Sequence, residues 1–298
     1  MHIPVLLKEV IECLAPQPNE NFIDCTCGFA GHSKAILEKN GPNGKVLGIE
    51  WDSDVFEKIK QQNIERLVLA NDSYRNLKKI IEQQNFGPVA GVLLDLGMSS
   101  WDIESSGRGF SFQKDEILDM RYSAELQNNL TAQKIVNEWP EEEIKKILKE
   151  YGEEPFAGSI AGGIAKARES ENIITTFQLA DIIKRNTPAW YSRRKIHPAT
   201  KTFQTLRIAV NDELASLQKV LPQAIDCLTA GGRLAIISFH SLEDAIVKKF
   251  FKEYSKNGIL KIIAKKPIRP LWSEITANPR ARSARLRAAA KLCPVRQL

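Results

Sequence analysis

The sequence has no long apolar run. Across 298 residues nothing approaches the ~20 consecutive apolar positions that span a bilayer, so no membrane helix is expected. Cysteine is scarce and unpaired in pattern. Cys13, Cys25, Cys27, Cys227 and Cys293 are odd in number, scattered and free of any CxxC spacing. That excludes a disulfide framework, argues against structural zinc and fits reduced thiols in a cytoplasmic location. The four histidines are dispersed without an HExxH, so no metal site is expected. A GxGxxG dinucleotide fingerprint and a GxxxxGK[ST] phosphate loop are both absent, which disfavours a dinucleotide enzyme and an NTPase. At the amino end Lys8 and Glu9 stand directly behind a short apolar run, which does not read as a signal peptide. Acidic residues are nearly missing from 261–298, where Glu274 faces ten Lys and Arg.

What is present is a globular composition, 43% hydrophobic and 26% charged, enough for one large domain or two ordinary ones. Net charge is +6, yet residues 1–260 carry 32 basic against 35 acidic side chains, so the positive charge sits in the last segment. A basic block on a nearly neutral body points to a polyanion such as nucleic acid, or else to a solvated tail.

The first hundred residues alternate short apolar runs with helical patterns. Strands are expected at Phe22–Cys25, Lys45–Glu50, Leu67–Ala70 and Val89–Leu96, with helices from Ser33, over Asp54–Gln62 and over Leu77–Asn85. The rhythm implies an α/β fold with a doubly wound parallel sheet. It stops between about Ser99 and Ala199, where amphipathic helices are expected near 131–151, 155–169 and 175–186. A long helix begins near Thr200, a fifth strand covers Arg233–Phe239, a helix 241–254 and a strand-like run 259–264 follow, and then comes the basic tail. The simplest organisation is a discontinuous α/β domain, 1–104 with 198–298, interrupted by an inserted helical domain at 105–197.

Chemistry-bearing residues gather where the strands end. Asp24-Cys25-Thr26-Cys27-Gly28-Phe29-Ala30-Gly31-His32-Ser33 runs from a strand end through a glycine turn into a helix, letting backbone approach a ligand. Glu50 ends the second strand, where a carboxylate can accept from a ribose diol, and Asp72 and Asp95 end the third and fourth. Each acid alone is more often a cap; together they suit a ribose-bearing cationic ligand such as S-adenosylmethionine. Further on, Arg193-Arg194-Lys195-Ile196-His197 joins basic residues to an aromatic stretch. Ser238-Phe239-His240-Ser241-Leu242-Glu243-Asp244 follows the fifth strand, where Ser241 to Asp244 also has the form of a capping box. In Asn278–Arg287 the arginines 280, 282, 285 and 287 would share one face if extended.

These stretches, with HIPVLLKEV (2–10), LLDLGMSS (93–100), RGFSF (108–112), YGEEPFA (151–157), HPATKTFQTLRIAVNDEL (197–214), GGRLAIISFHSLED (231–244) and NPRARSARLR (278–287), span nearly the whole chain in order. They resemble the bacterial small-subunit ribosomal RNA cytosine-N4 methyltransferase family. The resemblance implies a class I (Rossmann-like) methyltransferase fold, with the inserted domain recognising substrate. It implies S-adenosylmethionine as methyl donor, cytosine N4 of 16S rRNA in the small ribosomal subunit as target, no membrane partner, and homodimerisation left open. By position it implies cofactor contacts at Ala30, Gly31, His32, Glu50, Tyr74, Asp95 and Asp102. The family turn generally reads DxTFGRGGHS, so Cys27, Phe29 and Ala30 are departures, as are Glu50 for Asp, Tyr74 for Phe and Trp101-Asp102 for Pro-Gln. Asp95, Ser99 and His240 are candidate catalytic groups at the target amine, and Arg193, Arg194, Arg280, Arg282, Arg285 and Arg287 candidate RNA contacts. A DNA or small-molecule methyltransferase and a non-catalytic RNA-binding assembly factor remain as alternatives.

Overall fold

Seven strands form one sheet: β1 (Asn21–Asp24), β2 (Val46–Glu50), β3 (Leu67–Asn71), β4 (Val89–Asp95), β5 (Leu228–Ser238), β6 (Leu260–Ile262) and β7 (Arg285–Lys291). Their spatial order is β3-β2-β1-β4-β5-β7-β6. The structure is a computed structural model and describes residues 4–123 and 129–293. Arg296 of the basic block, and His2 and Ile3 of the amino-terminal motif, lie outside the described residues.

β1 to β5 are mutually parallel, as the strand–helix rhythm predicts. Successive side chains of a strand point to opposite faces, and here both faces are covered. Ile23, Leu47, Val92, Leu94, Leu234 and Ile236 enter one core, with the helices Leu77–Gln84, Glu213–Cys227 and Ser241–Lys256. Their neighbours Phe22, Val46, Leu93, Ala235 and Ile237 enter the other, with the helices Leu7–Leu14 and Gly31–Leu37. This is the expected doubly wound arrangement, and it accounts for the almost unbroken apolar run of β4.

Two departures concern the carboxyl-terminal part. The fifth strand starts at Leu228, well before Arg233, and takes Gly231 and Gly232 into an irregular register against Val89 and Gly91. The basic segment is no tail. Arg285–Lys291 is strand β7, which runs antiparallel between β5 and β6. The sheet is therefore mixed, with β7 alone running against the direction of the other six strands.

Residues 1–97 with 214–298 make one compact unit and residues 98–213 another. The second holds the helices Ala132–Glu138, Glu141–Glu150, Ala157–Arg168, Thr176–Arg185 and Thr200–Asn211. Ile135, Ile144, Ile160, Leu179, Phe203 and Leu206 lie in its own core. The pattern over 131–151 divides at Trp139, whose extended backbone (ψ 147°) is what a following proline imposes. The long pattern from Thr200 divides at Asp212, which takes a left-handed conformation (φ 49°). Because Thr200–Asn211 packs into the helical core, the division falls at Glu213, not at 197, and on the other side at Gly97, not at 104. Among the described residues no helix is long and apolar enough to cross a membrane.

Candidate active site

The glycine turn is tied to the strand ends by hydrogen bonds from its own polar residues. Asp24 closes β1 and is 1% exposed. Its Oδ2 accepts from Ser33 Oγ at 2.7 Å and its Oδ1 from Thr26 N at 3.2 Å. Burial pushes its carboxyl above the usual range, while His32 and these hydrogen bonds oppose the rise. Thr26 Oγ1 accepts from Asp95 N at 2.6 Å, which joins the end of β1 to that of β4. Gly28 (φ 52°) and Ala30 (φ 63°) are both left-handed, so at residue 30 an alanine holds a conformation suited to the glycine of the general pattern. At Gly31 a Cβ would stand 2.4 Å from Pro4 Cγ, so only glycine lets the amino-terminal segment lie this close to the start of helix Gly31–Leu37. Cys27 is buried against β2, and burial holds its thiol well above its ordinary value, which leaves it an inert packing residue.

The acids at the strand ends differ in what holds them. Glu50 accepts from Gly28 N through Oε2 and from Asp52 N through Oε1, each at 2.8 Å. These two backbone donors therefore orient it at the end of β2. Trp51 follows directly, its ring edge-on to Tyr74 at 6.3 Å between centroids. Asp72, by contrast, turns into its own loop, with Oδ1 accepting from Ser73 N and Asn76 Nδ2.

Asp95 ends β4 with its side chain 13% exposed. Burial pushes its carboxyl up to about 6 against the opposing pull of His32, whose Nδ1 is 3.7 Å from Oδ2. His32 is buried, and its Nε2 is 3.0 Å from Val5 O. A carbonyl can only accept, so Nε2 carries the proton and Nδ1 faces Asp95. Gly97 N reaches Asp95 Oδ1 at 3.4 Å, and a Cβ on Gly97 would meet the Phe239 ring at 2.8 Å.

His240, Ser99 and Asp102 turn out to be capping residues. The box foreseen at Ser241 forms one residue earlier, with His240 as N-cap of helix Ser241–Lys256. Glu243 Oε2 accepts from Phe239 N at 2.8 Å and His240 N at 3.3 Å, and Glu243 Oε1 lies 3.0 Å from His240 Nε2. In the unit 98–213, Asp102 Oδ2 accepts from Ser99 N at 2.8 Å and from Ser99 Oγ at 2.7 Å, closing a box at the start of helix Ser100–Glu104.

The six arginines divide similarly. Arg193, Arg194 and Arg282 are exposed and Arg280 is half-buried in the turn Pro279–Ser283. Arg287 is 8% exposed and donates twice to Asp244, Nε at 2.7 Å and a terminal nitrogen at 3.1 Å. Arg285 reaches the same carboxylate at 3.3 Å. Being inside the sheet, Arg287 is structural, not an RNA contact; the single face expected for the four arginines does not exist.

A family model described as "MraW methylase family" matches residues 1–292. The chain belongs to this family. It is 44% identical to the ribosomal RNA small subunit methyltransferase H of Halothermothrix orenii, over 98% of each chain. It is 43% identical to that of Heliobacterium modesticaldum, again over 98% of each. For Symbiobacterium thermophilum the figure is 41%, over 98% of this chain and 96% of that one. Membership in the MraW methylase family bears out the resemblance read from the sequence, the class I methyltransferase fold and S-adenosylmethionine as cofactor. The residues present fit that cofactor: a turn whose Gly28 and Ala30 hold left-handed backbone, an oriented carboxylate at Glu50 at the end of β2, and a second carboxylate at Asp95, two strands away at the end of β4. Trp51, Thr26, Ser33 and Val5 complete the surroundings; Thr26, Ser33 and Val5 fall in stretches the sequence reading quoted without giving them a role of their own, and Trp51 escapes it. Only Ser33 and Thr26 had a signal, as hydroxyls flanking the turn.

Proposed function

We infer that this protein transfers the methyl group of S-adenosylmethionine to N4 of a cytosine in 16S rRNA of the small ribosomal subunit, in the cytoplasm. The observation that carries the reading is the 41–44% identity, over nearly the full length of each chain, to proteins named for methylation of small-subunit ribosomal RNA.

When bound, S-adenosylmethionine supplies an electrophilic methyl group on a sulfonium. The backbone of Gly28–His32 lines its site and Glu50 accepts from its ribose hydroxyls. The chain's remaining work is to position a weak nucleophile in line and exclude water. The cytosine amine is weak because its lone pair is delocalised into the ring. Asp95, ionised at neutral pH, would accept a hydrogen bond from that amine and take the proton that the nitrogen must lose when the methyl carbon leaves sulfur for it. His32 holds the Asp95 side of the site in place through Val5 O. His240, engaged with Glu243, fixes the end of β5 and does not act on the amine. Residues 98–213 recognise the RNA, and Arg193, Arg194, Arg280 and Arg282 contact phosphates.

The test is transfer of labelled methyl from S-adenosylmethionine to small subunits from cells lacking the enzyme, followed by nuclease digestion and mass analysis. N4-methylcytidine is the expected product. A label on another base or atom, or none, overturns the reading.

A further inference from the structure

Trp190 is 58% exposed although the short helix that carries it, Ala189–Ser192, is well anchored. The next residue, Tyr191, is 4% exposed, and its hydroxyl donates to Glu154 Oε2 at 2.9 Å. Phe156 stands edge-on to both rings, its centroid 5.8 Å from Trp190 and 4.9 Å from Tyr191. The indole is thus braced from behind and open to solvent, at the cost of leaving a large apolar surface in water. Directly after it come Arg193, Arg194 and Lys195, all exposed. The Arg194 guanidinium lies 5.3 Å over the Tyr191 ring. Among the described residues none of these three cations makes an ion pair. The surrounding sequence, 182–211, contains seven Lys and Arg and no acid.

A braced, exposed aromatic beside unneutralised cations matches what a single-stranded nucleic acid offers, a base face and adjoining phosphates. A protein partner would be expected to find acceptors and apolar surface, not an acid-free strip. We propose that Trp190 is a stacking platform for an unpaired base of the RNA substrate, with Arg193, Arg194 and Lys195 holding the neighbouring phosphates. This rests on the RNA reading of the function. It selects single strands, because a duplex hides its base faces.

The test is fluorescence anisotropy with the full chain, using a labelled single-stranded RNA and the same strand in a duplex. Trp190→Ala should weaken single-strand binding about 5- to 100-fold while duplex binding hardly changes. Trp190→Phe should recover most of the loss. The salt dependence should stay as steep in Trp190→Ala, since stacking releases no counterions, and flatten by about 1.4 in Arg193→Ala with Arg194→Ala. Unchanged single-strand affinity in a folded Trp190→Ala, or equal losses for strand and duplex, overturns the platform. So does a changed oligomeric state in ultracentrifugation with RNA affinity intact, which would assign the patch to protein contact. If the unaltered chain methylates small subunits while Trp190→Ala binds RNA normally, only the platform falls. If the unaltered chain binds no RNA, the functional reading falls with it.

Discussion

At the scale of single residues, the proposed site rests on two carboxylates that respond to different tests. Glu50 uses both oxygens on backbone donors, Gly28 N and Asp52 N. In Glu50→Gln the amide nitrogen must face one of these donors and the charge is gone, so S-adenosylmethionine binding should weaken by about 1.5–3 kcal/mol, measured by calorimetry. An unchanged affinity would remove Glu50 from the ribose. Asp95 has its carboxyl raised by burial to about 6. Methyl transfer should therefore fall as pH drops through about 6, and Asp95→Asn should lack that limb in kcat/KM. Stability should move the opposite way. A folded-state value above the unfolded one means the folded chain takes up the proton first, so the carboxylate's cost is present at neutral pH and is relieved as pH falls from about 7 to about 4. Denaturation of the two proteins across that range should show their stability difference changing around pH 6. Glu50 and Asp95 were legible because an acid at the end of an apolar run marks a strand's carboxyl edge. Trp51, and the bond from Asp95 N to Thr26 Oγ1, were not, since they depend on neighbours brought together only by the sheet.

At the scale of elements, the five parallel strands were readable from β-branched apolar runs, and β7 was not. Arg285–Lys291 reads RLRAAAK, with no β-branched residue and alanines that favour helix. It is extended because β5 offers it six paired positions, Arg233 to Ser238, and because Leu286 and Ala288 enter one core while Ala289 enters the other. The ion pair of Arg287 with Asp244 fixes this strand against helix Ser241–Lys256. Arg287→Ala leaves a mostly buried carboxylate with only Arg285, at 3.3 Å, for a partner and should cost up to about 3 kcal/mol in urea denaturation. Arg287 holds the Asp244 carboxyl below its usual range against the effect of burial. That stabilisation is complete above about pH 4 and is lost as pH falls further. The gap between Arg287→Ala and the parent should therefore close in acid, and a gap independent of pH would detach the cost from the ion pair. The same reasoning explains the box at His240: Ser-x-x-Asp was visible in the sequence, but Asp244 is claimed by β7, so the cap falls to His240 and Glu243.

At the scale of the whole molecule, the insertion was legible where the strand rhythm stops, and its edges were not. The helical pattern runs without a visible break from Thr200 to Leu221, and the left-handed Asp212 divides it. The unit 98–213 is continuous in sequence and has its own core, so excised it should give a helical circular dichroism spectrum and unfold cooperatively. A molten, non-cooperative fragment would show that this core needs its host. The reversed seventh strand also sets an order of events during synthesis. A chain leaving the ribosome from its amino end completes residues 98–213 while the other unit still lacks β5, β6 and β7. Until residue 291 emerges, β5 has one bare edge and Asp244 no partner, the state in which strands of different chains pair with one another. A ribosome that stops after β6 would release a product with most of its core formed and an adhesive flank, so premature termination late in translation should yield aggregates where earlier termination yields fragments for proteolysis.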